Sequence, residues 1–144
     1  GVHTLEINFT DEASILAAAA AFGDNKLDVL VNCGGKVILN SHPVSQTRLA
    51  ILHKPLISTQ GPFLSSKAFL PSLSKAPLGK IISISSNMAG VERLNQLTKT
   101  MAINLQKLHL SHVVTLAVHP GWLPTRLAGF HGADDMETCM AGLV

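Results

Sequence analysis

Two glycines, two serines and a threonine are the residues of this chain best placed for chemistry. Gly34 and Gly35 follow the apolar run 27–32, and lacking a Cβ they let backbone approach a ligand closely. On their own they read equally well as an ordinary tight turn. Ser85 and Ser86 close the run IISISS, where a hydroxyl could hold a carbonyl oxygen by hydrogen bond. Pro120 and Gly121 form a turn in HPGW, and with Thr125 they could offer backbone and hydroxyl groups to a polar ligand. No G-x-S-x-G elbow surrounds the serine pair, which argues against a serine hydrolase. Of the seven histidines only His109 and His112 fall one helical turn apart, with no carboxylate or cysteine beside them. Cys33 and Cys139 lack ligand spacing and are read as two reduced thiols, so no metal is expected. Asn8-Phe9-Thr10 matches a glycosylation sequon, which is taken as chance inside a strand.

These residues need elements to hold them. Residues 4–9, TLEINF, alternate as a strand does. Thr10, Asp11 and Glu12 then start a helix with acids at its positive end, continued by ASILAAAAAF. Gly23, Asp24 and Asn25 end it. Residues 27–32 are a continuous apolar run typical of a strand buried on both faces. After a polar stretch through Pro43, residues 44–73 have helical periodicity, and Pro55 and Pro62 should kink or divide them. IISISS is the next buried strand, residues 87–90 a turn, 93–110 an amphipathic helix, and HVVTLAV, 112–118, the last strand. A short helix is expected over 135–143.

The alternation of strands and helices requires an α/β fold, a doubly wound Rossmann-like parallel sheet of about four strands with flanking helices and right-handed crossovers. Ligands of such sheets bind beyond the carboxyl ends of the strands, which brings NCGG, ISSN and HPGW together. With 144 residues the chain is one domain, 1–144. It is 47% hydrophobic and 14% charged, unlike a disordered segment. No apolar run is long enough to span a bilayer, and a cytoplasmic protein without membrane contact is expected. The net charge is +2 with Lys and Arg scattered singly, which argues against a nucleic-acid partner. A start at Gly1 is read as that of a fragment or a partial gene product.

LDVLVNCGG, residues 27–35, resembles the LDVLVNNAG strand and turn of the short-chain dehydrogenase/reductase family. GPFLSSKAFLPSL (61–73), GKIISISS (79–86), LNQLTKTMAINL (94–105) and HPGWLPT (119–125) resemble further motifs of that family in the family's own order. The resemblance implies NAD or NADP as cofactor and a small carbonyl or alcohol as substrate. It places the active-site serine on Ser86, and cofactor contacts on Asn8, Asn32, Gly34, Gly35, Pro120, Gly121 and Thr125. It also implies a homo- or hetero-oligomer through helices 44–73 and 93–110.

The family's proton is moved by a tyrosine made acidic by a lysine four residues on. The chain contains no tyrosine. Where relatives read YxxSKAALNQLTK, Gly90 here runs through Val91, Glu92 and Arg93 into LNQLTK, and register carried back from Leu94 puts Val91 in the lysine's place. No TGxxxGxG phosphate loop occurs, Asn8 stands at the family's acidic position, and Ser58 at its structural asparagine. The expectation is an oxidoreductase relative impaired in catalysis. The alternatives are a non-catalytic remnant or interaction subunit that joins an intact relative, and an incomplete gene model. The 27–33 strand should be an exposed apolar edge, with repacking of residues 1–22 or marginal stability as the result.

Overall fold

A computed structural model of the chain describes residues 2–34, 59–85, 92–126 and 129–141. Its elements in order are α1 (Glu12–Phe22), β1 (Val29–Asn32), α2 (Gly61–Leu73), β2 (Gly79–Ile84), α3 (Glu92–Lys107), β3 (Val113–Val118) and α4 (Met136–Ala141).

Helix α1 starts where the sequence places it. Asp11 caps it by accepting a hydrogen bond from Ala13 N at 3.0 Å, which satisfies one of the donors a helix start leaves open. Gly23 ends it at φ 70, a left-handed conformation natural to glycine. Pro62 does not kink α2; it lies in the first turn, where the missing N–H would have had no helical partner. Pro71 falls in the last turn, and the helix stops at Leu73. Pro55 and the rest of the expected helix before 59 lie outside the described residues.

The three strands form one parallel sheet in the order β1-β2-β3. Register aligns Leu30 with Ile81 and Thr115, and Val31 with Ile82 and Leu116. Alternation then separates two faces. Leu30, Asn32, Ile81, Ser83, Val113 and Thr115 share the face against which α2 and α3 pack, with α1 lying on α2. Phe69, Leu73, Ile81, Leu105 and Val113 form the buried core, and Phe22 meets Phe69 edge-on with ring centroids 5.7 Å apart. On the other face Val29, Val31 and Leu116 are 41%, 52% and 47% exposed. The expected apolar exposure at β1 is therefore present, and it extends across the sheet.

Residues 4–9 differ from expectation. They form no strand, and residues 2–8 are exposed. Alternation makes a segment fit for a sheet, but a strand exists only beside a partner, and among the described residues β1 pairs with β2 alone. The remaining strand and helix expectations are met within one to three residues at their ends, as is usual where elements fray. No helix among the described residues is long and apolar enough to cross a membrane.

Candidate functional site

The carboxyl ends of the strands carry two clusters of polar and glycine residues. The first is at β1. Asn32 is buried, and its carboxamide is held by the first turns of α2: Nδ2 donates to Ser66 Oγ at 3.1 Å, and Ser65 Oγ donates to Asn32 Oδ1 at 2.7 Å. Ser66 Oγ in turn donates to Pro62 O at 2.6 Å. Ser65 Oγ also lies 3.1 Å from Pro62 O. A hydroxyl has a single proton, so the shorter contact to Asn32 is the one it serves. The arrangement pins β1 to α2 through the Asn32 side chain. Buried amides without such partners would cost about 1–3 kcal/mol each.

Beside it, Phe9 covers the backbone of Gly34 and of Gly61. Asn8 stands at the same place but is turned to its own chain. Its Oδ1 accepts from Thr10 N at 3.0 Å and from Thr10 Oγ1 at 2.7 Å, while its backbone N–H donates to Ser14 Oγ at 2.9 Å. This is an Asx turn, in which a short polar side chain replaces a backbone acceptor.

The second cluster joins β2, β3 and α3. Ser85 N donates to Val118 O at 2.7 Å, so the HPGW loop leaves the sheet next to Ser85. Ser85 Oγ donates to Asn95 Oδ1 at 2.7 Å, and Thr115 Oγ1 donates to Thr98 O at 3.0 Å. Both bonds tie α3 to the sheet. Beyond β3, Gly121 takes φ 92, and the loop folds on itself: Trp122 N donates to the Asp134 carboxylate, and Trp122 Nε1 to His131 O at 3.1 Å. Thr125 is held by its backbone, donating to Leu123 O and accepting from Phe130 N. Asp135 begins α4; bonds from the Thr138 hydroxyl and then the Thr138 N–H hold its carboxyl below the usual aspartate value.

Of the residues singled out from the sequence, Asn32, Gly34 and Asn8 lie around the end of β1, and Pro120 and Gly121 follow β3. Ser86 and Gly35 lie outside the described residues. Phe9, Gly61, Ser65, Ser66 and Asn95 were not singled out. Their roles depend on contacts between distant parts of the chain, which motif spacing does not carry. Among the described residues no group of histidines, cysteines or acids is arranged to hold a metal.

A dinucleotide does not fit the β1 end as it stands. The Gly34 backbone is covered by the Phe9 ring, and the Asn8 acceptor is engaged by Thr10.

The short chain dehydrogenase family model matches residues 1–135. The chain is 33% identical over 154 residues to the short chain dehydrogenase pigC of Monascus ruber, covering 92% of this chain and 47% of that protein. It is 29% identical over 143 residues to the short chain dehydrogenase tazN of Aspergillus terreus, with 87% and 30% covered. It thus spans under half the length of these curated relatives. The NADPH-bound carbonyl reductase from chicken fatty liver superposes with a TM-score of 0.77 at 26% identity, over 96% of this chain and 66% of that one. A metagenomic short-chain oxidoreductase in complex with NADP gives 0.65 at 28% identity, over 95% and 65%. With the ordered strand-end motifs, the parallel sheet and a family match over most of its length, the chain belongs to the short-chain dehydrogenase family.

Proposed function

We propose that this chain descends from NAD(P)-dependent reductases of small carbonyls and alcohols and no longer turns such substrates over. Hydride delivery to a carbonyl develops an alkoxide, which needs a positioned proton donor to become an alcohol. The observation that carries this reading is the bond from Ser85 Oγ to Asn95 Oδ1. The start of α3 is drawn directly onto the end of β2, and no residue of the chain is a tyrosine. Ser86 would still offer its hydroxyl to a carbonyl oxygen, and Pro120, Gly121 and Thr125 polar groups to a carboxamide, but neither site supplies a proton. The exposed free thiol of Cys33 suits the reducing cytoplasm.

The test is carbonyl-dependent oxidation of NADPH or NADH by the purified chain. No turnover above background is expected, and sustained turnover would sink the reading. A transcript encoding a YxxxK block between Gly90 and Leu94 would also overturn it, by showing the gap to be an error of the gene model.

A second reading, an interaction subunit, is favoured by the open groove between the first turns of α2 and α3, lined by Thr59, Gln60, Phe63, Arg93 and Leu97. Phe63 and Ile103 stand exposed on these helices, where association with an intact relative would cover them. Sizing the chain with and without such a relative tests this; a strictly monomeric chain in both removes it.

A further inference from the structure

The open groove between the first turns of α2 and α3 has a volume of about 350 Å³ and is lined by Thr59, Gln60, Phe63, Arg93 and Leu97. That volume falls at the lower end of the range of small-molecule sites, which join an apolar lining to a few convergent polar groups. The apolar part here is the Phe63 ring, 41% exposed, with Leu97. The polar part is a hydroxyl, a carboxamide and a guanidinium, and all three can donate hydrogen bonds. The lining holds one cation and no acid, and among the described residues Arg93 enters no ion pair.

Thr59 points to an occupant independently. Its Oγ1 is buried and meets no hydrogen-bond partner among the described residues, whereas the large majority of buried polar side-chain atoms in folded proteins have one. Residues 59 and 60 lead into α2 as a π turn, a widening of the helix that recurs at functional sites. A buried hydroxyl without a partner, beside a guanidinium without a counter-ion, calls for an acceptor that carries negative charge. Five lining residues are few for a protein partner, because a stable interface takes roughly 20–30 residues a side.

We propose that this groove binds a small carboxylate with a flat apolar body: the Arg93 fork and the Thr59 hydroxyl hold the carboxylate, and the body lies on Phe63 and Leu97. Guanidinium and carboxylate match in plane and spacing, so two parallel N–H···O bonds can form between them. None of the five residues belongs to the set that the family resemblance assigns to cofactor or substrate. The inference does not depend on turnover. It uses the groove of the interaction reading without resting on that reading, and the two separate in measurement: sizing reports association, and titration reports the small ligand.

The probe is 1-naphthylacetate, with its neutral twin 1-naphthylacetamide, titrated into the whole chain by calorimetry at neutral pH. Saturable binding of the carboxylate is expected, about tenfold or more tighter than that of the amide. Arg93→Met should weaken it about tenfold and Thr59→Val about threefold. Thr59→Val should melt no lower than the unaltered chain, since it removes a buried hydroxyl that has no partner. Absence of saturable binding, equal affinity for acid and amide, or unchanged affinity in Arg93→Met overturns the proposal. Should Arg93→Met lose its cooperative melt, Arg93→Lys decides, because it keeps the charge and gives up the fork: a loss of about threefold supports the site, and unchanged affinity overturns it. If the probe does not bind while the chain associates with an intact relative, the groove belongs to that partner and the proposal falls.

Discussion

The two faces of the sheet invert what a solvent-facing sheet would show. The covered face carries Asn32, Ser83 and Thr115 among its apolar residues, and Asn32 and Ser83 are buried. The open face is built from Val29, Val31, Ile82, Ile84, Val114, Leu116 and Val118 with Lys80 as its one charge, and Val29, Val31 and Leu116 are more than two-fifths exposed. Parallel sheets are normally covered on both sides. Polarity on the inner face is tolerated because helices supply partners: Ser65 and Ser66 for Asn32, and the Thr98 carbonyl for Thr115. Apolar character on the outer face shows a surface made for cover. Which face is buried is thus set by which helices are at hand, and residue type on each strand reports the sheet of the whole fold.

The largest effect that would test this contrast is a truncation on the covered side. Leu73→Ala removes a side chain with no exposed area and should cost about 2–5 kcal/mol, read by chemical denaturation; a smaller loss would mean that the core is not the one described. Next, Ser65→Ala takes the donor from the buried Asn32 Oδ1 and should cost about 1–3 kcal/mol. A cost near zero would show that the polar lock is idle. On the open face, Val31→Lys should change stability by no more than about 0.5 kcal/mol while reducing self-association in light scattering. A loss of core size there would mean that the face is covered after all.

The smallest effect lies outside the sheet. Asp135 has a lowered pKa in the folded chain, so its contribution to α4 is complete above the ordinary aspartate value of 3.8 and is lost as pH falls through the lower folded value. Asp135→Asn should flatten that part of the acid titration of α4, and an unchanged titration would show the carboxylate to be immaterial.

The sequence made the core strands legible because continuous apolar runs such as 27–32 and IISISS have few other uses in a chain of this length. It also placed the start of α1, since Asp11 is a capping residue ahead of helix formers. Residues 4–9 misled because alternation describes a segment's two sides and says nothing about whether a neighbour exists. Asn8 was read as a ligand contact by position, and position alone does not show that its carboxamide accepts from Thr10, two residues on. The Phe9 contact was invisible for a different reason: Gly34 and Gly61 each look like ordinary turn or helix-start glycines until the fold brings them to one ring. Ser85 and Asn95 belong to different elements and to no common motif, so only the fold shows their bond.

The lock formed by Asn32, Ser65 and Ser66 has a consequence for how this chain can change over generations. The dependence runs one way: both hydroxyls can turn to Pro62 O, whereas Asn32 Oδ1 relies on Ser65, so losing Ser65 first leaves a buried acceptor without its donor and losing Asn32 first does not. The order of loss therefore matters, and Asn32 is expected to disappear from this lock before the serine that serves it.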